Sequence, residues 1–192
     1  MAKIAITGHS AGIGQAFAKI YEQQGHEVVG LSRRNGYNIR NIPKIAEHIL
    51  PCDMWINNAQ AGFAQTELFY HVFEKWHNDS NKIVWIISTI MASEYRMPDV
   101  TGLSKRQLSE YRTQKRALED AAKTVRQQGS LCRICLIRPG AVATQSYNIA
   151  GENASDVDIW VKTVCDFYIQ CRENNLFPEE LSLSFKKEAV EI

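Results

Sequence analysis

The chain has 192 residues, a length that suits a single domain hiding roughly 70% of its unfolded surface. With 45% hydrophobic and 22% charged residues and a formal net charge of +1, the composition is that of a soluble globular protein. Its scattered basic residues exclude a broad nucleic-acid field, and no apolar run reaches the ~20 residues of a membrane helix.

Taken in order, short apolar runs alternate with stretches of helical period. The first strand is expected at 3–7, so the chain enters a strand pattern at once, with no room for a cleavable signal. A helix over 12–24, a strand over 26–31, a polar stretch over 32–41 and a short helix over 43–50 follow. Next come a strand at 54–57, a helix at 65–76 and an apolar strand beginning at Ile83. A long helix over 107–128 stops at Gly129, a strand spans 131–137, and a helix at 155–172 precedes a last strand at 181–185. Strands that are apolar throughout, alternating with helices, predict an α/β fold: a doubly wound, mostly parallel sheet of Rossmann type with both faces covered. Residues 1–192 form one domain in this reading, with no repeat or linker. Of five cysteines, Cys132 and Cys135 make a C-x-x-C inside a strand, where positions three apart face opposite sides. They read as buried apolar residues rather than a redox pair, and the cytoplasm is the expected compartment.

Thr7-Gly8-His9-Ser10-Ala11-Gly12-Ile13-Gly14 falls between the first strand and the first helix. A dinucleotide pyrophosphate needs backbone N–H donors and the positive end of a helix dipole at close range, which glycines permit. Gly8 suits the tight turn, Gly12 the close approach and Gly14 the packing of helix on strand, with Ser10 and Ile13 completing the contact surface. The second strand ends in Ser32-Arg33-Arg34 with no carboxylate. An acidic residue there would accept from the ribose of NAD, whereas Arg33, helped by Ser32, suits the 2′-phosphate of NADP. NADP(H) is therefore the expected cofactor, with NAD(H) the lesser one. On the long helix, Tyr111 and Lys115 share a face at the head of an apolar stripe through Leu118, Ala122 and Val125. An ammonium beside a phenol stabilises the phenolate.

The glycine motif resembles the fingerprint of the short-chain dehydrogenase/reductase superfamily in its compact single-domain branch, and Tyr-x-x-x-Lys resembles that family's active-site pair. The run 81–88 resembles the family's strand bearing the catalytic hydroxyl, which implies Ser88, with Thr89 in reserve. By this resemblance Ser88 binds the substrate oxygen, Tyr111 is general acid or base, and Lys115 binds the nicotinamide ribose and tunes Tyr111. Asn57-Asn58-Ala59 resembles the family's Asn-Asn-Ala-Gly, with Gln60 in place of glycine, implying that Asn58 and Ala59 flank the adenosine side. Asn38-Ile39 stands where the family has an acidic-aliphatic pair at adenine. Pro139-Gly140-Ala141-Val142-Ala143-Thr144 resembles Pro-Gly-x-Val-x-Thr, so the Val142 backbone and Thr144 would meet the nicotinamide amide.

The resemblance implies a hydride-transferring oxidoreductase acting on a small carbonyl or alcohol, and a homo-oligomer packed through the Tyr111 helix. Two alternatives are a non-catalytic NADP-binding sensor and epimerase or dehydratase chemistry on the same Tyr–Lys pair. Three departures stand out. The interval from Ser88 to Tyr111 is long, with an insertion within 94–108; the segment 145–154, where relatives carry a lid, is short. The family's fourth catalytic member, an asparagine on the preceding helix, has no counterpart, leaving Gln60, Gln65 or a rerouted water relay to take its part.

Overall fold

Six parallel strands order the molecule as β2-β1-β3-β4-β5-β8 in a computed structural model that describes residues 1–93, 104–144 and 154–184. In chain order the elements are β1 (Lys3–Thr7), α1 (Gly12–Gln23), β2 (Glu27–Leu31), α2 (Ile42–Ile49), β3 (Met54–Asn57), α3 (Ala64–Trp76), β4 (Ile83–Ile87), α4 (Lys105–Gln127), β5 (Arg133–Pro139), β6 (Val142–Ala143), β7 (Ser155–Asp156), α5 (Val157–Glu173) and β8 (Glu180–Leu183). The expected doubly wound α/β architecture is present, and every pairing in the large sheet is parallel.

The continuous apolar runs resolve into two cores because successive strand residues face opposite sides. Ala5, Trp55, Val84, Ile86, Ile134 and Leu136 pack beneath α2, α3 and α4. Ile4, Ile6, Met54, Ile56, Trp85, Ile87, Cys135 and Ile137 pack beneath α1 and α5. Cys132 and Cys135 fall into different cores, as the period of two requires, and all five cysteines are unpaired.

The strand order reverses at β1, which pairs with β2 on one side and β3 on the other. This is the switch point whose carboxyl edge opens a crevice for a ligand. Among the described residues β2 has no second neighbour, which fits the short link from β2 to α2.

Element ends differ from expectation for local reasons. Helix α4 starts at Lys105 because Ser104 and Gln107 form a reciprocal capping box. Residues Ser155 and Asp156 leave the expected last helix to pair with Val142 and Ala143, and the Asp156 carboxylate caps α5 by accepting from the Ile159 N–H at 2.9 Å. Strand β5 begins two residues late, since the Leu131 and Cys132 N–H groups bond to the His77 carbonyl instead of the ladder. The insertion expected within 94–108 falls largely, and the shortened lid almost wholly, outside the described residues, as does Phe185.

Candidate nucleotide and catalytic site

The glycine turn leaves β1 and enters α1 as an uncapped helix start. Ala11 at the N-cap offers no side-chain acceptor, and the first turn carries no acidic residue. The positive end of the α1 dipole therefore has no side-chain cap or acidic partner from its own first turn, a setting in which helix starts can bind anions. Gly8 and Gly12 both have positive φ, 75° and 55°. A Cβ on Gly14 would lie 2.4 Å from the Gly8 carbonyl oxygen and 2.6 Å from Asn58 Nδ2, so helix and strand close only without one. A Cβ on Gly12 would meet Thr144 at 3.2 Å, which brings the end of β6 beside the turn. Ser10 and Ile13 are half-buried in the same turn. His9 lies over Gly30, whose missing Cβ makes room for the ring. Burial holds the His9 pKa below the ordinary value, against smaller upward pulls from Glu22 and the Leu31 backbone.

Asn58 ties the two strands of the switch point together. Its side chain donates to the Thr7 carbonyl at 3.0 Å, while Thr7 Oγ1 accepts from the N–H groups of Asn58 and Ala59 at 3.0 and 3.2 Å. Arg33 and Arg34 are exposed at the end of β2. Arg34 reaches the Ser10 carbonyl at 3.1 Å, so the second arginine of the pair is the one that meets the glycine turn. Ser32 differs from expectation: it is 6% exposed, and its hydroxyl and N–H both bond to Asn35 Oδ1, which commits it to its own turn. The Ile39 side chain is likewise packed in the core, leaving Asn38 exposed. Pro139 ends β5, and Gly140 passes so close to β8 that a Cβ would strike the Ser184 Cα at 2.8 Å. Val142 buries its side chain on the α5 side.

At the carboxyl end of β4, α4 presents Lys115 and Tyr111 together. The Lys115 Nζ lies 5.7 Å from the centroid of the Tyr111 ring. It is 3% exposed and donates to the Ile87 carbonyl at 2.8 Å and to Gln65 Oε1 at 2.9 Å. Burial lowers its pKa to about 7 against a smaller upward pull from Glu119. Ser88, one residue further along, is also buried, and its hydroxyl donates to Glu119 Oε1 at 2.6 Å. Glu119 in turn accepts two bonds from the Arg138 guanidinium, at 3.0 and 2.9 Å. Thr89 caps the short turn after β4 by accepting from the Met91 N–H at 3.3 Å. Gln60 reaches across to Gln114, on the turn of α4 between Tyr111 and Lys115.

One contributor, Glu119, escapes a motif-by-motif reading, while Gln65 is expected only as a substitute for the family's asparagine and Arg34 only as the neighbour of Arg33. Glu119 had a signal, since it stands four residues beyond Lys115 on the buried stripe, where a second charge demands a partner.

The family profile of NAD-dependent epimerases and dehydratases matches residues 4–164. The chain belongs to this family. Within its Rossmann-type fold, the solved structures similar to this chain include short-chain dehydrogenases. A short-chain dehydrogenase/reductase from Vibrio parahaemolyticus has a TM-score of 0.72 at 16% identity, over 96% of this chain and 100% of that one. An alcohol dehydrogenase from the archaeon Thermococcus sibiricus, complexed with 5-hydroxy-NADP, has a TM-score of 0.66 at 16% identity, over 99% of both chains. A 3-alpha-hydroxysteroid dehydrogenase from a Pseudomonas species, complexed with NADH, has a TM-score of 0.68 at 16% identity, over 94% of both. At these identities the likeness is one of fold. No curated protein sequence matches the chain.

Proposed function

We propose that this family member is an NADP(H)-dependent oxidoreductase that moves a hydride between the nicotinamide and a small carbonyl or hydroxyl compound. The observation that carries the reading is the meeting, at one edge of the sheet, of an uncapped glycine-rich helix start with the Tyr111–Lys115 pair and Ser88. Bound NADP(H) would supply or accept the hydride. The α1 start, with Gly8, Gly12 and Gly14, fits its pyrophosphate; Arg34, and Arg33 beside it, fit the 2′-phosphate. Lys115 orients the ribose and Tyr111. Tyr111 gives a proton to the carbonyl oxygen on reduction and takes one from the hydroxyl on oxidation. Ser88 has its proton on Glu119, so its oxygen offers lone pairs and accepts from a substrate hydroxyl or from the phenol.

The unpaired cysteines support a reducing compartment such as the cytoplasm. A homo-oligomer packed through α4 is part of this reading, and Tyr70, a large side chain left exposed on the neighbouring α3, supports that face. A monomeric mass by light scattering at micromolar concentration would overturn the oligomer.

The test is a titration with NADPH and NADH followed by tryptophan fluorescence, then a panel of carbonyls and alcohols followed at the nicotinamide absorbance. Replacing Tyr111 by Phe should lower turnover by about 10²-fold or more. Unchanged turnover refutes the assignment. Substituting Glu for Arg33 and Arg34 should weaken NADPH much more than NADH, and equal loss refutes the NADP preference. The family match favours one second reading, epimerisation or dehydration with the hydride returned to the substrate. Turnover of a hydroxylated substrate with no net change in nicotinamide absorbance would select it.

A further inference from the structure

We propose that Gln65 is the positioning residue of the site: its side-chain amide, clamped between the ends of β3 and β4, holds Lys115 from below with a neutral acceptor. The inference rests on the reading of Lys115 as the lysine of the Tyr–Lys pair.

Gln65 stands in the first turn of α3 and is 2% exposed. Its Nε2 donates to the Asn57 carbonyl at 2.7 Å and to the Ile87 carbonyl at 3.3 Å. Both acceptors are strand-end carbonyls, so the NH₂ end of the amide has one tenable direction and Oε1 must face the lysine. Turning the amide over would set oxygen against two carbonyls and NH₂ against the ammonium. Asn57 returns the bond, its Nδ2 donating to the Gln65 carbonyl at 3.2 Å. The amide therefore ties β3, β4 and α4 together at the point where the cofactor edge meets the Tyr111 helix.

The charges around Lys115 make the choice of an amide consequential. Ile87 of β4, Ser88 just after it and Gln65 of α3 are uncharged. On α4 the Tyr111 ring faces the ammonium, and Glu119 is occupied by Ser88 and by Arg138 of β5. Two of the ammonium protons go to Ile87 and Gln65, leaving a third for a ribose hydroxyl or the phenol oxygen. A carboxylate at position 65 would hold the proton permanently; a neutral amide fixes the position of Nζ while letting the lysine gain and lose it near neutrality.

The experiment uses the full chain without cofactor, with ¹³C-labelled lysine and ¹⁵N-labelled glutamine, titrated from about pH 6 to 9 by NMR, a range that brackets the depressed lysine value. The Lys115 resonance is assigned by its loss in Lys115→Met. Gln65→Glu should move its midpoint up by about one unit or more, and Gln65→Met should move it down. In the unaltered protein the Gln65 side-chain amide resonance should shift with the same midpoint as Lys115, a readout that needs no variant to fold. A Lys115 midpoint unchanged by Gln65→Glu overturns the proposal, as does a Gln65 amide resonance that stays flat while Lys115 titrates. Binding of NADPH or NADH, followed by fluorescence, separates the two readings. Coupled titration without binding leaves the clamp and removes the oxidoreductase; binding without coupling removes the clamp alone.

Discussion

Gly14 shows how one atom can decide both packing and binding. Its absent Cβ would sit 2.4 Å from a backbone oxygen, which no rotamer change relieves. Gly14→Ala should therefore lower stability by about 1–3 kcal/mol through overpacking and shift the α1 start that the proposed cofactor's pyrophosphate would need. Gly129 is the control, because it has φ of 82° but nothing within 4 Å of a Cβ. Gly129→Ala should cost only the left-handed strain, about 1–2 kcal/mol, and leave NADPH affinity unchanged. Thermal melts and fluorescence titration check both, and a Gly14→Ala variant that binds NADPH normally would refute the cradle. At this scale the sequence was legible where chemistry follows spacing: the glycines of the turn, and Tyr111 with Lys115 one helical turn apart. It was not legible where a side chain chooses among neighbours brought together by the fold. Nothing in Ser32-Arg33-Arg34 says that Ser32 will turn to Asn35 and Arg34 to Ser10. Gln65 and Lys115, fifty positions apart, meet only after three strands have paired.

Among the elements, α4 and β5 are joined by a buried ion pair with Ser88 attached. Arg138 and Glu119 are 8% and 5% exposed in their side chains, and Glu180 of β8 adds a bond to the same guanidinium at 2.8 Å. Glu119→Gln should cost about 3 kcal/mol, the low end of the range for a broken buried pair, because Glu180 still holds Arg138. Glu180→Gln, on the half-exposed partner, should cost about 1 kcal/mol or less. Denaturant melts check the order, and equal losses would mean that Glu119 is not the buried anchor. Because Ser88 donates to the same carboxylate, Glu119→Gln should also weaken that bond, an amide oxygen being a poorer acceptor, and alter turnover beyond the stability loss. The elements themselves were legible from period alone: β1 and β3 fall where their apolar runs lie, and the helices within two residues of expectation. What periodicity misses is the event that ends an element, such as the capping by Ser104 or the pairing that withdraws Ser155 and Asp156 from α5. Those ends depend on a partner's position, which a local pattern does not contain.

For the whole molecule, buried groups that titrate at different pH predict a stability curve with a peak. Lys115 has a folded pKa of about 7 against an ordinary value of 10.5, because burial disfavours its charge. Between these values the unfolded chain binds the extra proton, so stability rises with pH. The gain from pH 7 to 9 is roughly 2 kcal/mol, or about 4–8 °C in melting temperature for a chain of this size. His9, with its pKa lowered by burial, acts in the same direction at lower pH, where the unfolded chain alone takes up its proton. The thiols act oppositely. Burial pushes Cys132, Cys135 and Cys165 up to about 12 and Cys52 up to about 11. Above about pH 9 the unfolded chain ionises these thiols while the folded one keeps them protonated, so stability falls again. Four thiols outweigh one lysine, which places the maximum between about pH 8 and 9. Calorimetric melts of the cofactor-free chain from pH 6 to 10 should trace this dome. Lys115→Met should flatten the rising limb and leave the falling one in place. A rising limb that persists in that variant would show that the buried lysine is not what shapes it.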